Sequence, residues 1–260
     1  MATKSVHLAP ASRRAFLVSA AALSVGCMAR GTPVHAQAKN TAFVRLPAVG
    51  QSWRYSKHDY FTGAVVDTET DRVRAVGESI EIELHAETAP HTRRAYPSWG
   101  DSWWREHMGA DAARGGGLVE IQRPWGMVVV DPHWSEMQFF EKAIPLWPSE
   151  LRPGWSTSVD TYYKIPGTDE IMPWQLTMHA ERWEAVTVPA GRFMALRCYN
   201  IINFRFTNAS ERTAAQRIEH LWIVPEIGRW VIRKSMGTFR EDLGSEVKES
   251  SYVWKLLDWS

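Results

Sequence analysis

Cysteine is nearly absent from the sequence, which excludes one common way of stabilising a secreted domain. Only two cysteines, Cys27 and Cys198, occur among the 260 residues. A disulfide-stabilised scaffold needs several cysteine pairs, so packing must supply the stability here. We expect Cys198, which lies in an apolar stretch, to be a small buried side chain.

Long hydrophobic runs and a surplus of positive charge are missing as well. The longest apolar stretch extends from Ala15 to about Gly26, whereas a transmembrane helix needs about 20 apolar residues. The formal net charge is only +1. Because nucleic-acid-binding domains carry a clustered positive surplus, the sequence predicts no nucleic acid partner.

Familiar catalytic, metal-binding and nucleotide-binding motifs are absent too. The chain has no HExxH or GxSxG motif, and Gly115-Gly116-Gly117 lacks the lysine that follows in a phosphate-binding loop. We therefore predict no metal, no cofactor and no catalytic residue. Carboxylate pairs such as Asp67 and Glu69 share one face of a strand, and we expect that face to be solvated.

The N-terminal region, by contrast, carries a recognisable targeting motif. Residues 12–17, SRRAFL, resemble a twin-arginine export signal, in which Arg13 and Arg14 precede a hydrophobic pair. The pattern predicts a signal peptide with a helix over residues 1–38, with the twin-arginine translocase as a transient partner. The expected location is the periplasm or the medium.

Two fates of this signal are open. Cleavage after Ala38, within Ala36-Gln37-Ala38, would release residues 39–260 and lower the net charge by four, since the signal holds four basic residues and no acidic one. Alternatively, Cys27 receives a lipid and anchors the chain to the envelope. Ser24 stands where a lipidation motif usually has leucine, which favours release.

Residues 39–260 show the period of two that is typical of β-strands. Between Ser79 and Ala86, three aliphatic side chains alternate with glutamates and a histidine, as in a half-buried antiparallel strand. Val188-Pro189-Ala190-Gly191 and Pro225-Glu226-Ile227-Gly228 predict tight turns. We predict a single, mainly antiparallel all-β domain of about ten strands, forming a curled sheet, barrel, half-barrel or sandwich.

Two segments interrupt this alternation, near residues 89–117 and 132–153. Both are rich in proline and tryptophan, and the first also holds the glycine run. Loops of this length within a compact domain are usually functional or disordered, and tryptophan argues against disorder. We therefore predict long, Trp-rich loops at both places.

Three stretches resemble secreted β-domains of Gram-negative bacteria that have no assigned activity. VTVPAGRFMALRC (residues 186–198) and LWIVPEIGRWVIR (221–233) are similar to the C-terminal part of such domains, and the strand pair at residues 49–83 is similar to the opening part. These motifs consist of turn residues. The resemblance therefore implies a fold and an exported location, and it supplies no catalytic residues.

Tryptophan is the most distinctive component, with 14 copies. Tryptophan near arginine favours stacking on sugars, aromatic rings or lipid headgroups. The sequence therefore predicts a ligand site in the irregular segments, formed by Trp99, Trp103, Trp104, Trp134 and His133.

These observations predict an exported β-domain that binds a lipid or small apolar ligand without catalysis. Two alternatives remain open. In one, the Trp-rich loops bind another envelope protein. In the other, the domain is a hydrolase-like enzyme with a site near Asp131 and His133.

Overall fold

A computed structural model of the chain describes most of the predicted β-domain. The described residues are 43–87, 118–133, 137–165, 171–205, 212–241, 246–248 and 251–260. Within these ranges the chain forms strands and turns without a helix, and no helix there is long and apolar enough to cross a membrane. Arg13, Arg14, Cys27 and Ala38 lie outside the described residues, so the export signal stays a prediction.

Thirteen strands form one antiparallel sheet. They are β1 (Ser52–Asp59), β2 (Val65–Val76), β3 (Ile80–Ala86), β4 (Leu118–Gln122), β5 (Met127–Asp131), β6 (Gln138–Pro145), β7 (Ser156–Lys164), β8 (Met172–Val188), β9 (Gly191–Phe204), β10 (Arg212–Val224), β11 (Arg229–Glu241), β12 (Glu246–Lys248) and β13 (Tyr252–Trp259).

The sheet closes on itself into a barrel. Its strand order is β10-β9-β8-β7-β6-β5-β4-β3-β2-β1-β13-β11, and β10 also pairs with β11, which completes a ring of twelve strands. The short β12 pairs with β11 beside this ring. The predicted all-β, antiparallel fold is confirmed, and of the architectures left open, the barrel is the one formed.

The prediction that residues 132–153 are irregular is wrong in part, because this segment contains the strand β6. Here the usual alternation fails, since Phe140 belongs to the main core while Phe139 packs on the opposite face with Val119, Ile121 and Val130. A strand buried on both faces has no polar phase to reveal it. The alternation of residue types over residues 246–257 favours a single closing strand, whereas the structure has two strands there, β12 and β13.

Large aromatic side chains fill the interior. Trp53, Trp174, Trp230 and Trp254 are each at most 1% exposed. Trp174 contacts aromatic rings from β6, β7 and β9 at centroid distances of 5.0–5.6 Å. A side chain without accessible surface has no water-sized space beside it, so the barrel is packed with side chains around these residues.

Cys198 also lies in this core, as expected. It is fully buried and forms no disulfide. Burial raises the pKa of its thiol to about 12, so the side chain behaves as a small apolar residue.

One end of the barrel, here called the turn end, is sealed by short connections and by the segment Phe43–Gln51. The connections at this end are residues 77–79, 123–126, 146–155, 189–190 and 225–228. Arg45 N donates a hydrogen bond to Pro225 O, and the indoles of Trp53 and Trp125 donate to Ile227 O and Arg45 O. These contacts tie the N-terminal segment across two of the turns.

Candidate functional site

The opposite end of the barrel, here called the loop end, carries the remaining connections. In an antiparallel barrel, successive connections alternate between the two ends. The loop end therefore holds the links from β1 to β2, β3 to β4, β5 to β6, β7 to β8 and β9 to β10, and the one that follows β11.

The sequence-predicted ligand residues belong to this end. Trp99, Trp103 and Trp104 lie in the link from β3 to β4, and Trp134 lies in the link from β5 to β6. All four are outside the described residues, so their grouping stays a prediction. His133 is described, and it lies two residues past the end of β5, where it is 4% exposed.

Apolar side chains are exposed on two hairpins of the loop end. The β1–β2 hairpin exposes 40% of Tyr60, 53% of Phe61 and 62% of Val65. The β7–β8 hairpin exposes about half of Tyr162 and of Ile171. In the strand order, β3 to β6 separate these hairpins on one side, and β9, β10, β11 and β13 separate them on the other. The two apolar tips therefore lie on opposite sides of the same end.

The β1–β2 tip has a rigid backbone. Asp59 Oδ1 accepts hydrogen bonds from the backbone amides of Phe61 and Thr62 and from the Thr62 hydroxyl, at 2.7–3.1 Å. Gly63 completes the turn with a φ of 71°, a value that glycine adopts without strain. Thr62-Gly63 is a sequence typical of turns, and the turn formed here positions the exposed rings of Tyr60 and Phe61.

Between the two ends, the interior contains a cluster of paired charges. Arg229, at the start of β11, donates from Nη1 and Nη2 to the two oxygens of Glu120 at 3.0 and 2.8 Å. Its Nη2 also lies 2.9 Å from Asp71 Oδ2. Since β4 and β11 face each other across the ring, this contact joins two sides of the barrel through its interior.

His133 joins the same cluster. Its Nδ1 lies 2.8 Å from Asp131 Oδ1 and 3.5 Å from Glu120 Oε2, and its Nε2 lies 3.9 Å from Asp71 Oδ2. Arg233 extends the cluster by donating to Glu219 at 2.8 Å. Four carboxylates thus surround two guanidinium groups and one imidazole.

The protonation of these groups follows from their mutual contacts. Burial alone would lower the pKa of His133, but the hydrogen bond and charge of Asp131, with help from Asp71 and Glu120, raise it to about 9. Burial would raise the pKa of Asp131, and the bond and charge of His133 hold it well below its usual range. Asp131 is therefore a carboxylate at neutral pH, and His133 is an imidazolium.

A second ion pair lies nearby on the same inner wall. Lys57 Nζ is 3.0 Å from Glu69 Oε1, and the Trp254 indole donates to Glu69 Oε2 at 2.8 Å. Glu69 is only 2% exposed. The expectation that Asp67 and Glu69 mark a solvated face is therefore wrong for Glu69, because Lys57 and Trp254 supply the partners that a buried carboxylate requires.

The arrangement of this cluster fits a structural role better than a catalytic one. A general acid or base must reach its substrate, yet the His133 side chain is 1% exposed, and every carboxylate named above faces a buried cation. Within the described residues, no group of three His, Cys, Asp or Glu side chains is placed to hold a metal ion. His85 lies apart, since it is exposed and pairs with Glu83.

Most members of the cluster were not predicted from the sequence, although a signal was available. Arg229, Val231 and Arg233 occupy one phase of β11, and Glu69, Asp71 and Val73 occupy one phase of β2. In both strands the valine is fully or almost fully buried. Charged residues that share a strand face with a valine indicate buried ion pairs. The net charge of the chain does not reveal this pattern.

Comparisons with known proteins bear on the fold. No protein-family model matches the chain, and no curated protein matches it. Among solved structures, it is similar to a candidate lipoprotein of Parabacteroides distasonis, with 12% identity and a TM-score of 0.50 over 85% of this chain and 100% of that chain. It is also similar to a candidate exported protein with a YmcC-like fold from Bacteroides fragilis, with 11% identity and a TM-score of 0.45, over 84% and 99% of the two chains. At such identities the first likeness supports the barrel fold alone.

Proposed function

We propose that the protein is an exported or envelope-anchored barrel that binds an apolar or amphipathic ligand at its loop end. The single observation that carries this proposal is the placement of Tyr60, Phe61, Val65, Tyr162 and Ile171, which expose apolar surface on two opposite hairpins of that end. Exposed apolar groups favour contact with an apolar partner. Phe43, Leu46 and Val49 are exposed at the turn end as well, but they lie on one segment rather than on two opposite hairpins.

The described interior supports a ligand site at the end of the barrel, because buried side chains fill the space around its centre. Trp53, Tyr55, Tyr163, Trp230 and Trp254 are all fully buried, and the contact between Arg229 and Glu120 spans the same space. A ligand held among these side chains would have to separate paired charges in a medium of low dielectric constant. Binding at the end of the barrel requires no such cost.

We assign the sequence-predicted tryptophans to the same site from sequence order alone, because they lie outside the described residues. Trp99, Trp103 and Trp104 come between β3 and β4 in the sequence, and Trp134 comes after β5. Indole rings combine a large apolar surface with one hydrogen-bond donor, which suits the boundary of an amphipathic molecule. The ligand class proposed is therefore a molecule with an acyl chain and a polar headgroup, such as a lysolipid.

Neither alternative function has equal support. Binding of another envelope protein would use the same exposed side chains, and it becomes the favoured reading if lysolipids do not bind. A hydrolase site at Asp131 and His133 has no support from the geometry, because both groups are engaged in ion pairs and the His133 side chain is almost inaccessible.

The test is calorimetric titration of the full chain with a twelve-carbon lysophosphatidylcholine kept below its critical micelle concentration. We expect saturable binding that falls at least tenfold in the Tyr60→Ser/Phe61→Ser variant. The matched control is Phe43→Ser/Leu46→Ser, which removes exposed apolar groups from the turn end and should leave the affinity unchanged.

Two results would contradict the proposal. One is the absence of saturable binding by the wild-type chain. The other is an equal loss of affinity in the loop-end and turn-end variants, which would indicate unspecific adsorption. Far-UV circular dichroism of each variant verifies that the barrel is intact.

A further inference from the structure

A serine and a histidine on the outer wall of the barrel form a pair that the interior cluster does not involve. Ser56 Oγ lies 2.9 Å from His58 Nε2, and His58 Nδ1 lies 3.1 Å from Gly63 O. On β1, the side chains of Trp53, Tyr55 and Lys57 point into the barrel. Because successive side chains of a strand point to opposite faces, Ser56 and His58 point outward. The pair lies just below the β1–β2 tip of the loop end.

The hydrogen bonds determine which nitrogen of His58 carries the proton. A carbonyl oxygen can only accept, so Nδ1 must donate to Gly63 O. In the neutral ring, Nε2 is then the acceptor that faces the Ser56 hydroxyl. A second acceptor, Lys255 O, lies farther from Ser56 Oγ, at 3.4 Å.

The orientation of the imidazole is maintained by the turn itself. Gly63 N donates to Asp59 O at 3.0 Å, and Asp59 N donates to Ala64 O at 2.8 Å. Together with the contacts of the Asp59 side chain to Thr62, these bonds fix the Gly63 carbonyl toward His58. A nucleophile, a base and a group that orients the base are thus present in the order that covalent catalysis requires.

The neighbours of the pair complete a small surface site. Lys255 and Thr68 are the cross-strand partners of Ser56, and partners directly opposite share a face of the sheet. Lys255 forms no ion pair within the described part of the chain, so its charge is available to a developing oxyanion. Val65 and Val253 are the partners of His58 and offer apolar surface for an acyl group.

We propose that Ser56 and His58 form an esterase-type site on the outer wall, with Ser56 as nucleophile and His58 as general base. Ser56 Oγ attacks the carbonyl carbon of an ester, and its proton passes to His58 Nε2. The ester C–O bond breaks, and the proton moves from Nε2 to the departing alkoxide. Water then cleaves the acyl-serine by the same steps, which yields the carboxylic acid and restores the hydroxyl.

The substrate class follows from the surroundings. The site lies on the outer wall, where the half-buried His58 faces solvent and Ser56 is nearly buried beside it, at 8% exposed. It has apolar neighbours on one side and one lysine on the other, which suits a short acyl ester without a positive charge near the carbonyl. This activity does not depend on the proposed binding function, because a small ester needs none of the exposed aromatic rings.

The test uses a fluorescent fluorophosphonate, which phosphonylates activated serines, on the full chain, with the modified residue located by mass spectrometry. We expect labelling at Ser56 that disappears in Ser56→Ala. His58→Gln keeps a hydrogen-bonding side chain but removes the base, and it should slow labelling about 100-fold, as loss of a general base does. Hydrolysis of p-nitrophenyl butyrate should follow the same pattern.

Ser52→Ala is the matched control, because Ser52 lies on the same face of β1 and bonds to Ser260 rather than to a histidine. It should label and hydrolyse like the wild type. The proposal is overturned if folded protein is not labelled at Ser56, or if His58→Gln reacts as fast as the wild type. Loss of lysolipid binding with Ser56 labelling intact would overturn the proposed binding function and leave this site standing.

Discussion

At the turn end of the barrel, every connection is held by backbone hydrogen bonds, whereas at the loop end only the β1–β2 tip is described in full. The N-terminal segment also crosses the turn end, where Gln51, Trp53 and Trp125 bond to backbone carbonyls. At the loop end, the β1–β2 tip has one such tie, since Tyr60 N donates a hydrogen bond to Ser251 O at 3.0 Å. The difference shows that most of the described ties between distant parts of the chain lie at the turn end, and it is the loop end for which we propose binding.

Both ends are joined through the interior by paired charges. Arg229 starts β11 at the turn end, while Asp131 and His133 finish β5 at the loop end. Glu120 contacts both Arg229 and His133, at 2.8 and 3.5 Å. The cluster therefore runs along the barrel axis as well as across it, and its loss should affect both ends.

Removal of Arg229 should have the largest effect. Arg229→Ala leaves Glu120 and Asp71 buried without their main cation, and breaking a buried pair in this way costs about 3–5 kcal/mol. Urea unfolding followed by circular dichroism measures the change. Arg192→Ala, at an exposed position, is the control and should stay within about 0.5 kcal/mol of the wild type.

The pH dependence of stability should report on His133 at the other side of the cluster. Its pKa is raised in the folded state, to about 9, from about 6.5 in an unfolded chain. The stabilisation is therefore fully present below pH 6.5 and is lost as pH rises toward 9, by on the order of 3 kcal/mol.

Urea unfolding at intervals between pH 6 and pH 9 measures this slope. His133→Gln should unfold more easily at pH 6 and should lack most of the decline toward pH 9. A wild-type stability that stays level across this interval would show that His133 is neutral in the fold. Cys198 adds to the decline only near the upper end of this interval, because its thiol ionises at about pH 8.5 in an unfolded chain and has a pKa of about 12 in the fold; His133→Gln keeps that small part of the decline.

A pair of glycine substitutions compares the two ends directly. Gly126, at the turn end, has a φ of 88°, and a Cβ there would lie 2.5 Å from Trp147 Nε1. Gly63, at the loop end, has a φ of 71° and open space around it. Left-handed backbone costs about 1–2 kcal/mol for alanine at either place, and only Gly126→Ala must also displace the Trp147 ring.

Thermal unfolding should therefore show a larger decrease for Gly126→Ala than for Gly63→Ala. Equal decreases would mean that Trp147 moves freely and that the turn end is less tightly packed than described. Gly63→Ala has a second use, because it perturbs the carbonyl that orients His58 and should slow the labelling of Ser56.

Local features of the fold were predictable from the sequence, and contacts between distant residues were not. The turns at Val188-Pro189-Ala190-Gly191 and Pro225-Glu226-Ile227-Gly228 follow from proline and glycine chemistry, and both connections form as predicted. The ends of β4 and β5 also coincide with local signals, since their apolar runs stop at Arg123-Pro124 and at Pro132. Each of these signals lies within a few residues of the feature it specifies.

The candidate sites depend on contacts that no local pattern specifies. Glu120 and Arg229 are 109 residues apart, and their pairing depends on the order in which the strands close. The Ser56–His58 pair was missed for a different reason, because the search for a nucleophile relied on sequence motifs. The sequence signal for this pair has two parts. Ser56 and His58 are two residues apart on a strand, which places both side chains on one face, and the strand ends at an Asp-x-x-Thr-Gly turn.

Photocrosslinking with a diazirine-bearing lysolipid tests the central claim most directly, namely that this barrel binds at its loop end and not inside or at its turn end. The full chain is irradiated with the probe, and the modified residues are mapped by mass spectrometry. We predict adducts on the β1–β2 and β7–β8 hairpins, at Tyr60 to Val65 and at Tyr162 to Ile171. Adducts confined to the interior strands, or to Phe43 and Leu46 at the turn end, would contradict the account.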